Sequence, residues 1–305
     1  MNGENDYSIE KYSIGIGLIY FATSTSLIFL QIVIFYTFYK NPILLDNTIF
    51  KIMKLWGIFT IFQQTNHFIS SIYTIFYVLP PKIILRIFGS FLQCGYLTSV
   101  ICALLLTLNR FDSIYHHRYF KFIDRDKFFK YGIYFCYLYA IVVLCIYNVP
   151  DFGYYFYLQT LSFQYDTDQD KWRYVWEYEN KSAFVILTFC LFIYINIFLK
   201  VLCLRKQSLT ESYKFSDIKL LIPALFEILL TLSLETLWEY WLEPNSTSVH
   251  KFVILNYLFI IVSGTNTISS VLVIKEVQNT ATFILRYKSK QSITRIISIA
   301  YAKKL

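Results

Sequence analysis

Seven stretches of the chain are continuously apolar over about the length needed to cross a bilayer as a helix. They are Ser13–Tyr39, Leu55–Leu79, Phe88–Leu108, Tyr131–Tyr147, Ser182–Leu204, Leu220–Leu242 and Phe252–Ile274. The fourth is the shortest, at 17 residues, and Asn148 and Val149 can extend it. None alternates with the period of a half-buried strand. A backbone in lipid must satisfy its own hydrogen bonds as a helix or a closed barrel, and long unalternating runs select the helix. The pattern predicts an all-α membrane protein, a seven-transmembrane helix bundle forming one domain over residues 1–305.

Little is left between the spans. The longest gap, Asn148–Lys181, has 34 residues, and an isolated domain below about 40 residues usually needs disulfides or metals to fold. No separate soluble catalytic domain is expected. Composition agrees: 56% of residues are hydrophobic and 16% charged, against about 25% charged in a soluble domain.

The net charge of +8 would suggest nucleic acid in a soluble protein, but its placement points to a membrane. The connections 40–54, 110–130, 200–219 and 275–305 hold 21 of the 28 Lys and Arg residues, and the alternate connections hold 7. Basic residues stay on the cytosolic side during insertion. The N-terminus is therefore expected outside and the C-terminus in the cytosol, with the lipid bilayer rather than nucleic acid as the partner of the positive charge. Two glycosylation triplets, at Asn180 and Asn245, fall in connections assigned to the outside. The acidic first residues (Glu4, Asp6, Glu10) do not resemble the positive start of a cleavable signal, so the first run reads as an uncleaved helix.

The six cysteines all fall within the predicted spans, where they read as small buried hydrophobes. Cys203 is also placed for palmitoylation. The gap after the fourth span is acidic and aromatic, and is expected to lie over the bundle mouth. The tail 275–305 is basic and cytosolic in this scheme, either an interfacial helix on anionic lipid or a plain basic tail. No internal repeat is present, and the odd number of spans disfavours an inverted-repeat transporter.

Polar residues inside spans are costly, which makes them functional candidates. The second span holds Gln63, Gln64, Asn66 and His67, the sixth Glu227, Glu235 and Glu239, and Gln93 and Asn256 sit near the outer surface. Gln63, Gln64, Asn66, His67, Gln93, Glu235, Trp238 and Asn256 are the candidates for a ligand pocket in the outer half. The bland alternative is interhelical bonding, worth about 0.6 kcal/mol on average. Glu235 lies too deep to reach headgroups and is expected to face inward, whereas Glu239 reads as an interface residue and Glu227 as protonated or paired. Four histidines on separate elements, with no HExxH, phosphate loop or GxSxG motif, offer no enzyme chemistry, no metal site and no cofactor.

The third span ends in Leu105-Leu106-Thr107-Leu108-Asn109-Arg110-Phe111, followed by Arg118-Tyr119. Taken alone, Arg110 is a basic anchor at the interface. The run resembles nematode serpentine chemoreceptors, particularly the Srg superfamily (Srg, Srv and relatives), in which an Asn-Arg-aromatic sequence stands where rhodopsin-like receptors carry Asp-Arg-Tyr. That resemblance implies a GPCR-like bundle, a small-molecule ligand, and a heterotrimeric G protein engaged through Asn109, Arg110, Phe111 and Tyr119. It also implies a plasma-membrane or sensory-cilium location. The chain departs from rhodopsin-like receptors in having no acid at 109, for which Asp112 is the available substitute, and in carrying Gly264-Thr265-Asn266-Thr267 where NPxxY would stand. Rival functions are a seven-helix transporter or channel and a ligandless receptor-like protein.

Overall fold

The computed structural model describes the backbone of residues 3–115, 124–167, 171–207, 215–240 and 249–283, and side chains of 12–115, 124–167, 171–203, 224–240 and 249–283. Seven long helices run through it: α1 (Gly3–Lys40), α2 (Thr48–Phe76), α3 (Lys82–Ile114), α4 (Arg125–Tyr147), α5 (Trp172–Gln207), α6 (Phe215–Tyr240) and α7 (Val249–Val273). Each predicted span coincides with one of them, although the second, to Leu79, runs past the end of α2 and the last residues of the sixth lie outside the described residues. Most helices run past the apolar limits, because charged turns continue beyond the bilayer core. The fourth span gains most in definition, since Asp124 accepts a hydrogen bond from the Lys127 amide and starts α4 at Arg125. Asn47 caps α2 in the same way. α2 stops at Tyr77, which adopts a left-handed conformation (φ 51°) just before Pro80 and Pro81.

α1, α3, α4, α5 and α7 are each long and apolar enough to cross a membrane. In α2 the polar run from Gln63 to His67 interrupts the apolar sequence, and the first side chains of α6 lie outside the described residues. Burial is inverted relative to a soluble protein. Tyr131, Phe135, Leu138 and Ile141 on α4, and Val185, Phe189 and Phe192 on α5, are exposed, while Gln63, Gln64, Asn66, His67 and Gln93 are buried. An apolar exterior around a polar interior is what a bilayer selects.

The helices close a ring in which α1 packs on α2 and α7, α2 on α3, α3 on α5, α5 on α6 and α6 on α7, with α4 outside against α3. α3 is the central helix: 78% of its apolar stretch is buried, against 22% for α4. After α7, residues 275–283 are again helical, and Val277 and Ile274 pack with Ile34, Phe38 and Met53. The remainder of the basic tail lies outside the described residues.

The connection between α4 and α5 contains the only strands among the described residues. β1 (Tyr154–Tyr157) and β2 (Ser162–Tyr165) form an antiparallel hairpin with Tyr154 opposite Tyr165. The expectation was an aromatic segment resting on the bundle mouth. Instead the hairpin is buried within it: Tyr154, Tyr155, Phe156, Leu161 and Phe163 are each at most 4% exposed. Gly89 makes this possible, because a Cβ there would meet the Tyr154 carbonyl. The connection is also shorter than expected, because α5 begins at Trp172.

Candidate functional site

The hairpin decides what the expected pocket residues can touch. His67 has an edge-to-face contact with Phe163 of β2, centroids 6.1 Å apart, and another with Phe259 of α7 at 5.1 Å. The Asn256 amide donates to the Leu161 carbonyl at the hairpin turn, at 3.4 Å. Leu161 itself has φ 50° and is fully buried, a conformation that costs a residue with a Cβ about 1–2 kcal/mol. Packing on every side holds it there.

A second set of bonds fixes the hairpin to its neighbours. Glu179 of α5 accepts from the Tyr147 hydroxyl of α4 at 2.5 Å and from the Tyr165 hydroxyl of β2. Burial, and then the Glu179 charge, push the Tyr165 phenol well above its ordinary value, so it remains a donor. Gln93 faces the same carboxyl. Lys82 pairs with the buried Asp166 at 2.6 Å and lies over the Tyr155 ring. This aromatic and acidic latch was not legible as a unit, since its members come from α3, α4, α5 and the hairpin.

Most of the expected pocket residues are engaged by the hairpin or by neighbouring helices. The hairpin packs into that end of the bundle, and a small cavity lies deeper, between α2, α3, α5, α6 and α7. Of the eight pocket candidates only Gln63 lines it. Gln64 donates to the Ile260 carbonyl at 3.0 Å and to Ser263 at 2.5 Å, and Asn66 donates to the Phe62 carbonyl at 2.7 Å, so these two join helices or cap a turn. Glu235 does face inward, where it accepts a hydrogen bond from Tyr96 of α3. Trp238 is half-buried against the main core. Ser99, Glu227, Thr231 and Ser263 line the cavity instead. Among these, Glu227 carried a usable sequence signal, a carboxyl near the middle of an apolar helix.

At the opposite end, α3 presents the residues of the Asn-Arg-aromatic run. Asn109 is fully buried and its amide has no hydrogen-bond partner among the described residues. Arg110 is half-buried and faces Tyr194 of α5, which also lies within electrostatic reach of Glu227. Phe111 stacks with Tyr115 at 4.5 Å, and the Tyr115 hydroxyl reaches the Asn196 carbonyl of α5. Asp112, expected to stand in for the missing acid, forms an ion pair with Arg125 of α4 at 2.9 Å. Tyr119 lies outside the described residues.

The glycosylation expectation changes as well. Asn180 is not in a loop but within α5, and its amide donates to Glu239. Asn245 lies outside the described residues. Cys94, Cys102, Cys136 and Cys190 are buried as expected, whereas Cys145 and Cys203 are exposed on the bundle surface.

None of the curated proteins compared with this chain matches it. The family model that matches over residues 3–292 is described as the serpentine type 7TM GPCR chemoreceptor Srt, rather than the Srg or Srv families suggested by the run at Arg110. A ring of seven helices with an apolar exterior and a polar centre is the architecture such a match requires, and the chain belongs to the Srt family of serpentine seven-transmembrane chemoreceptors.

Proposed function

We propose that this protein is a G-protein-coupled chemosensory receptor that binds a small molecule inside the helix bundle and signals to a heterotrimeric G protein at the Arg110 end. One observation carries this reading. α3 lines the central cavity with Tyr96, Ser99, Val100 and Ala103 and, two turns further on, presents Arg110, while Tyr194 of α5 lies near both Arg110 and the cavity residue Glu227. A ligand that repositions α3 or α6 therefore acts on the surroundings of Arg110. Such coupling needs differential contact in two states of one element, and a central helix shared by both sites is suited to it.

In this scheme the hairpin end faces outside and the Arg110 end faces the cytosol, in keeping with 21 basic residues on that side. The protein then sits in the plasma membrane, or in a sensory cilium if the Srg-like resemblance extends to location. The test is G-protein activation in cells expressing the chain, challenged with a chemical panel. An epitope before residue 12 should stain intact cells, and one after Leu305 only permeabilised cells. Reversed staining, or no G-protein response to any ligand that binds, would remove the receptor reading.

A further inference from the structure

Most hydroxyl and amide donors around the central cavity are already used. The Gln63 amide nitrogen donates to the Ser99 hydroxyl at 3.0 Å, and Ser99 passes its own proton to the Gly95 carbonyl at 2.7 Å. Ser263 accepts from Gln64 and donates to the Ile260 carbonyl at 2.9 Å. Thr231 donates to the Glu227 carbonyl at 2.8 Å, and Tyr96 donates to Glu235. These donors are all turned into the protein. The acceptors among the remaining lining groups are the Gln63 Oε1 atom, buried and without a partner, and the Glu227 carboxyl, 7% exposed; the Trp56 indole N–H belongs to the same walls. The Gln63 amide cannot simply be flipped, because Ser99 has spent its proton on Gly95 and must accept.

We propose that this cavity binds a small organic ammonium ion, with Glu227 as its counter-ion and Gln63 Oε1 as a second acceptor. The inference rests on the receptor reading above and names the ligand class of the same site. No lysine, arginine or histidine lines the cavity among the described residues, so an ionised Glu227 would have no counterpart in its walls. A buried carboxylate without a counter-ion is strongly unfavourable, and a bound cation offsets that cost. The other walls favour an organic cation over a bare metal ion. Trp56 and Tyr96 place aromatic rings in the walls, the group type that attracts organic cations, and Val100, Leu187, Ile228 and Val262 supply apolar surface. The space is small, so the shortest alkylammonium ions are expected to fit it best.

The test uses the full chain in nanodiscs, with its unfolding temperature followed against methylammonium, butylammonium, benzylammonium and tetramethylammonium chlorides. Sodium chloride and 1-butanol serve as the inorganic and neutral counterparts. At least one organic ammonium ion should stabilise the protein saturably, at concentrations where sodium and butanol give no saturable shift. Glu227→Gln should weaken that binding at least tenfold, and Glu239→Gln, whose carboxylate is exposed and bonded to Asn180, should not weaken it. If Glu227→Gln does not fold, Gln63→Leu takes its place, with at least a threefold loss expected. Equal stabilisation by sodium or butanol, undiminished binding in these variants, or no saturable binding by any of the four ions would overturn the proposal. Binding without G-protein activation would instead remove the receptor reading and leave the cation site standing.

Discussion

Tyr96 of α3 donates its hydroxyl hydrogen bond to Glu235 of α6, joining two helices across the centre of the bundle. Both side chains are almost fully buried, Tyr96 at 5% and Glu235 at 6% exposure. The bond satisfies a carboxyl that would otherwise stand unpaired in an apolar layer. It also ties the helix that carries Arg110 to the helix that carries Glu227.

Removing the donor should therefore cost stability. Tyr96→Phe leaves the Glu235 carboxyl without its partner, a loss of about 1–3 kcal/mol, read as a lower unfolding temperature in detergent or nanodiscs. Glu235→Gln keeps an acceptor for Tyr96 and should cost less. If the Tyr96→Phe and Glu235→Leu effects simply add in the double variant, the two residues are not coupled and the bond carries no energy.

Gly89 should tolerate no side chain. A Cβ at this position meets backbone, the Tyr154 carbonyl, and not the end of a flexible side chain. Gly89→Ala should displace the hairpin at a cost of about 1–3 kcal/mol. Limited proteolysis checks this directly, with faster cleavage between residues 150 and 167 expected in the variant. Equal cleavage of variant and parent would mean that the hairpin does not depend on this approach.

The latch at Glu179 should hold the same hairpin from its other side. Tyr165→Phe removes one of the two hydroxyls donating to that carboxyl but leaves the Tyr147 bond at 2.5 Å. A stability loss of about 1 kcal/mol is expected. Glu179→Leu strands both hydroxyls and should cost more, with hydrogen exchange rising in the hairpin. A smaller effect for Glu179→Leu than for Tyr165→Phe would contradict the arrangement.

Arg110 should be dispensable for folding and needed for coupling. It is half-buried against Tyr194, whereas the fully buried Asp112 is held by Arg125. Arg110→Ala is expected to reach the cell surface at near-normal levels and lose most G-protein activation. Asp112→Ala should instead lower surface expression, since it leaves a half-buried guanidinium without its carboxylate. Full coupling by Arg110→Ala at matched surface level would reduce the arginine to a membrane anchor.

The seven helices and the inward orientation of Glu235 were legible along the chain, because both follow from local quantities. Apolarity summed over some twenty residues decides whether a segment enters a bilayer, and a carboxyl too deep to reach headgroups has only the bundle interior to face. The chemoreceptor class was legible too, through the run ending at Arg110, although the family proved to be Srt. The insertion of the hairpin was not. Tyr154-Tyr155-Phe156-Tyr157 has the composition of an interfacial loop, and its burial depends on Gly89, 65 positions away, being small. Only the tertiary structure showed that the hairpin packs into one end of the bundle, that His67 and Asn256 contact it, and that Glu227 rather than Trp238 lines the cavity. The reason is physical: a polar side chain in a membrane bonds to whatever the neighbouring helix offers. Those neighbours are set by packing between residues as distant as Tyr96 and Glu235, 139 positions apart, which no local pattern records.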